Sequence, residues 1–311
     1  MTATLTATST PADRRTTRGP RGLVWAVLRV HQTALVFWVL ALTAATAGLI
    51  WLYSVADEAR RAYVPCAEPI AADGLPSCAS IQAITVDDYY SDGISLITTT
   101  LSWSIFPVAA WAGGALIARE LENGTARLAW TQSVSPVRWL AAKLAVPAVL
   151  LAAGTGAIVL LNRWAQTDGN ANVVGDWYGP DVFVGTGPAA VGYVLAGLAL
   201  GALAGLLLRR ALPAAGVGLA AALLLYNVLE RYREDLLPTV TRTGPEGLDP
   251  GRSAWTVAWA STGEGGVTTV EVTFHPGSHF WPLQYIETGI ALTVAVAATL
   301  AAFAVLRRRT P

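Results

Sequence analysis

The chain has 311 residues, of which 53% are hydrophobic and only 14% charged, and its 21 basic and 21 acidic side chains give a formal net charge of zero. So large an apolar share excludes an ordinary soluble domain and describes an integral membrane protein.

Residues 1–20 are rich in Thr, Arg and Pro without apolar periodicity, which predicts a disordered tail. From 21 to 32 the pattern changes. Arg21, Trp25 and Arg29 recur every four residues, with Leu23, Val27 and Val30 on the other side. This is a helix suited to lie along a membrane surface, or else an extension of the span that follows.

Six runs are long and apolar enough to cross a bilayer, at about 33–56, 94–118, 141–162, 187–208, 211–229 and 285–306. Backbone groups in lipid must be satisfied within each segment, so the runs predict helices and an all-α integral membrane protein. Residues 21–306 form a single six-span domain and 307–311 a basic tail. The first run is no cleavable signal peptide: its apolar core is too long and too far from the start.

The basic residues beside the spans set the orientation. With both ends on one side, that face takes 14 of the 21 basic residues but only Asp13, Glu120 and Glu122 of the 21 acids. It reads as cytoplasmic, so the chain is a multi-pass membrane protein with both termini inside.

Cys66 and Cys78 then fall in the first outer loop, where a disulfide can persist. They are read as a pair stapling that loop, the alternative being two unpaired thiols. Pro107 and Pro147 each remove a backbone donor and predict kinks in spans two and three. Gly197, Gly201 and Gly205 form a small-residue stripe on span four that admits another helix, within the chain or from a second copy. In the outer segment 230–284, residues 253–260 and 267–274 are rich in Val, Thr and Trp, predicting a β-hairpin or, alternatively, short surface helices.

Several chemistries have no footing here. The single lysine, Lys143, stands between Ala142 and Leu144, so no Gly-Lys-Ser/Thr phosphate loop exists. The spans show no central ionisable group of the kind an ion-coupled carrier uses. Glu287 and Asn227 read as boundary residues at outer span ends. His275 and His279 alone make a poor ligand set, so no metal site is expected.

The informative stretch is the polar bridge 119–140 between spans two and three. Asn123-Gly124 is a helix stop, with glycine free to take the left-handed conformation. Thr125 can cap a short helix over 126–132, and Ser135-Pro136 starts another with serine as cap and proline at the first position. The short helix would present Leu128 and Trp130 as an apolar tip, edged by Arg127 and Gln132, to a groove on a cytosolic partner. Glu120 and Glu122 meet a basic group of that partner, or pair with Arg119, Arg127 or Arg138.

Six spans, a helix before the first, and Arg119-Glu-Leu-Glu-Asn-Gly-Thr125 followed by Ser133-Val-Ser-Pro-Val-Arg138 together resemble the permease subunits of type-2 ABC exporters. The entry to the last span, 280–289, and twenty arginines against one lysine resemble actinobacterial members. Pro136 comes earlier than the family's order places it, and the outer loops are long. The resemblance implies a half-transporter, paired with a second copy or a paralogue, whose coupling helix receives a separate cytosolic ABC ATPase. Glu120, Glu122, Gly124, Thr125, Arg127, Leu128, Trp130, Gln132 and Arg138 would carry that coupling. ATP and Mg would bind the ATPase, and this chain would hold no cofactor and catalyse nothing. Its other partner is membrane lipid; nucleic acid is not expected. A membrane scaffold or sensor, with ligand-binding outer loops and no ATPase, is the competing class.

Overall fold

A computed structural model of the chain describes residues 19–62, 86–132, 134–166, 175–245, 250–251, 253–264 and 267–310. Residues 1–18 of the expected tail and the Cys66–Cys78 pair lie outside these residues, and Gly19 and Pro20 of that tail begin the first helix. The helices are α1 (Gly19–Val30), α2 (Gln32–Ala62), α3 (Val86–Trp103), α4 (Ile105–Trp111), a π-helical segment (Ala112–Ala118), α5 (Arg119–Glu122), α6 (Thr125–Thr131), α7 (Pro136–Ala165), α8 (Pro180–Gly185), α9 (Ala189–Leu208), α10 (Ala211–Arg231) and α11 (Phe280–Arg309).

Six of these stretches are long and apolar enough to span a membrane: Gln32–Ala59, Asp88–Glu122, Pro136–Ala165, Ala189–Leu208, Ala211–Arg231 and Gly277–Arg309. The protein is a mostly helical six-span bundle. Span four, α9, is its axis, packed against spans two, five and six.

Small residues explain that packing. A Cβ added to Gly197 would lie 2.8 Å from the Ile105 carbonyl oxygen, and one on Gly205 would lie 2.8 Å from that of Gly113. The glycine stripe therefore serves contacts within the chain. Gly218 on span five meets the Ala109 carbonyl in the same way, at 2.9 Å. Spans two, four and five thus touch backbone to backbone, which only small residues permit.

The prolines act differently from each other. Span two breaks at Ser104, three residues before Pro107, and its α4 then widens into the π-helical segment at Gly113-Gly114. An interior proline crowds the preceding turn, and a π-bulge admits an extra residue into a helix. Span three instead runs unbroken through Pro147.

Outside the spans lies a three-stranded antiparallel sheet, β1 (Val240–Pro245), β2 (Trp255–Glu264) and β3 (Val267–His275), with β3 central. Trp255 pairs with His275 and Val240 with Phe274. Val270, Val272 and Phe274 are buried on one face, the period-two pattern of a half-covered strand. The predicted hairpin is β2–β3; β1 was not predicted.

Candidate functional site

The bridge between spans two and three is built as two short helices on a buried polar base. Gly124 adopts φ +73°, the left-handed conformation expected of it, and takes the N-cap position of α6. Thr125 is therefore the first helical residue, not the cap; its hydroxyl donates to the Glu120 carbonyl at 3.2 Å. At the far end Ser135 caps α7, accepting from the Arg138 N–H at 3.4 Å, with Pro136 in the first turn.

Helical periodicity divides α6 into two faces. Ala126 is buried, and Trp130 packs edge-on against Trp139 with ring centroids 5.7 Å apart. Leu128 is 59% exposed, and Arg127, Thr131 and Gln132 are exposed beside it. Only half of the expected apolar tip projects, because Trp130 points into the bundle, where its indole nitrogen has no hydrogen-bond partner among the described residues.

Among the described residues the two acids bond to groups other than Arg119, Arg127 and Arg138. Glu120 forms an ion pair with Lys143 of span three and accepts from Trp139 Nε1 at 3.2 Å. Lys143 Nζ also lies 3.0 Å from His31 Nε2, at the junction of α1 and α2. Glu122 accepts from the backbone N–H of Ala211 at 2.8 Å, satisfying one of the unpaired donors at the start of span five. Arg138 is exposed.

Three more basic residues complete this end. Arg309 donates to the Leu206 carbonyl at 2.6 Å and to that of Leu207 at 3.2 Å, satisfying carbonyls at the end of span four. Arg209, which makes the tight turn to span five with φ 54°, is held below the usual arginine range by burial, then by Arg309 and Arg127. Those three guanidinium groups therefore share one neighbourhood around α6. His31 is pushed down to about 4, first by burial and then by the Lys143 ammonium, with Glu120 acting in the opposite sense. It is a neutral imidazole at pH 7.

A second polar cluster ties the other end together. Glu287 is no boundary residue: it is fully buried, accepting from Arg233 Nε at 2.8 Å and from the Tyr193 hydroxyl at 2.5 Å. Arg233 also lies 4.0 Å from the centre of the Phe183 ring. Burial alone would lower its pKa, but the bond and charge of Glu287 outweigh that and raise it. His275 lies 3.0 Å from the Glu234 carbonyl and 3.0 Å from His279, so the sheet is fastened to this cluster. Asn227 is exposed and bonds its own helix at Leu223 O. Among the described residues no three His, Cys, Asp or Glu come together as a metal site.

Sequence reasoning missed these pairs because each half looks innocuous alone. Lys143 and Glu287 are single charges near the ends of apolar runs, and their partners are remote in sequence. The available signal was charge within a span, which requires a partner.

The chain is thus a polytopic helical bundle with a polar bridge between spans two and three. A family model described as ABC-2 membrane transporter related matches residues 37–233, well over half the chain, and the protein belongs to that family. It is a multi-pass permease of the ABC-2 type. Among curated proteins and among solved structures, none matches the chain.

Proposed function

We propose that this chain is the membrane half of an ATP-driven exporter, working with a second copy or a paralogue and with separate cytosolic ATPase subunits that dock on α6. The end carrying α6 and both termini faces the cytoplasm of a bacterial cell, and ATP with Mg binds the ATPase alone. Export moves cargo toward the face bearing the sheet.

One observation carries the reading: α6 exposes Leu128 while its base is bonded to three different spans. Glu120 holds span three through Lys143, Glu122 holds span five through Ala211, and α5 continues directly from span two. A push on Leu128 therefore reaches three spans. The basic rim of Arg127, Arg209 and Arg309 suits an acidic groove edge on the docking subunit.

The test is affinity purification of the tagged chain from its native membrane in mild detergent. Export by this route requires a Walker-motif ATPase in the eluate, with hydrolysis dependent on the chain. Recovery of the chain without any ATPase would favour a scaffold or sensor.

A further inference from the structure

A cavity of about 790 Å³ opens between α1, α2, the α3–α4 region and α7. That volume lies in the range of pockets that enclose small ligands. Trp38, Trp103, Phe106 and Trp111 are among its walls, and His31 closes one end. Among the described residues its lining includes no Asp, Glu, Lys or Arg. The hydroxyls of Thr100 and Ser104, which also line it, donate to carbonyls of their own helix turns at 2.7 Å each, so they offer no free proton.

The dimensions bear on the occupant. From His31 at the junction to Ala41 on α2 the lining advances ten positions, or about 15 Å at helical rise. This is roughly half the 30 Å hydrocarbon core, so the cavity occupies one leaflet, the one at the α6 end. Phe37 is 70% exposed and Trp103 55% exposed at its rim, which leaves it open sideways to lipid. A spanning helix of another copy needs the full core thickness, twice this depth, and Val27 and Leu28 of α1 close the same end as His31.

The closed end is polar in a defined sense. An ammonium group has only donors, so Lys143 Nζ donates to His31 Nε2 across their 3.0 Å contact. The ring proton of the neutral imidazole therefore sits on Nδ1, a donor that matches an ester or phosphate oxygen at headgroup level.

We propose that this cavity is a binding site for the hydrocarbon chain of an amphiphile drawn from the leaflet at the α6 end, with His31 at the level of the amphiphile's acceptor oxygens. The uncharged aromatic walls take the chain, and the half-bilayer depth sets its reach. The site needs no ATPase, so it stands or falls separately from the transport role.

The experiment uses the full chain reconstituted in phosphatidylcholine vesicles containing a trace of phosphatidylcholine with a diazirine on one acyl chain. After illumination, adducts are mapped by mass spectrometry. They should concentrate on peptides carrying Trp38, Trp103 and Val146. The filling variants Ala34→Trp and Val146→Trp should each lower that labelling roughly tenfold, equivalent to about 1.4 kcal/mol of lost binding. Leu212→Trp, at a residue 85% exposed on span five, should not. Excess unlabelled fatty acid, which leaves packing intact, should reduce labelling at the cavity and spare residue 212. An even spread of adducts over the exposed faces, unchanged by filling or competition, would mean annular lipid only and overturn the site. A photoreactive side chain placed at position 103 that links two copies of the chain would overturn it in favour of a copy.

Discussion

The carboxylate of Glu122 accepts a 2.8 Å hydrogen bond from the backbone N–H of Ala211, so the end of α5 caps the first turn of span five. That N–H has no partner inside its own helix, and a carboxylate there also meets the positive end of the helix dipole. Glu122→Ala should lower stability by about 1 kcal/mol, the usual cost of a lost cap. Glu122→Gln keeps an acceptor and should lose less. Thermal unfolding of the purified variants in detergent checks the order, and equal losses in both would show that the bond contributes nothing.

Lys143 is 4% exposed and Glu120 18%, so removing one partner leaves a buried charge. Lys143→Met alone should cost about 3 to 5 kcal/mol, whereas Lys143→Met combined with Glu120→Gln should recover most of it. A double-mutant cycle on the unfolding midpoints reads the coupling. Additive losses would mean that the pair is not shielded from water.

The two candidate tip residues now part company. Leu128→Asp should insert and fold normally yet abolish transport-linked ATPase stimulation, because Leu128 is 59% exposed on the face proposed to receive the ATPase. Trp130→Asp should instead destabilise the chain by about 2 kcal/mol or more, since half a buried tryptophan's packing is lost. Size-exclusion profiles and unfolding curves separate the two outcomes.

His31 supplies a pH signature. Its folded-state pKa is lowered to about 4 against an ordinary value near 6.5. The unfolded chain thus gains a proton first as pH falls. Stability is full above about pH 6.5 and declines from there down to about pH 4. His31→Gln should flatten that part of the midpoint-versus-pH curve. An unchanged slope would place the titration elsewhere.

Much of the fold was legible because lipid makes apolar length decisive: all six runs became spanning helices. The breaks at Gly124 and Ser135-Pro136 were equally readable, since positive φ and proline act locally. Long-range pairings were not. Nothing beside Glu120 announces Lys143, twenty-three residues on, and nothing beside Glu287 announces Arg233 across the sheet. The direction of Trp130 was missed for a similar reason, since which face of α6 turns inward depends on Trp139 in the next helix. β1 escaped because Val240–Pro245 contains Gly244 and ends in proline, which weaken a strand pattern read alone.

The central claim is that the exposed face of α6 receives an ATPase, and site-directed cross-linking tests it most directly. A photoreactive side chain is placed at Leu128 or at Ala126 in the native membrane, with and without ATP. The account predicts cross-links from position 128 to a Walker-motif ATPase that change in yield with nucleotide, and none from the buried position 126. Cross-links from 128 to no ATPase, or yields indifferent to nucleotide, would contradict it.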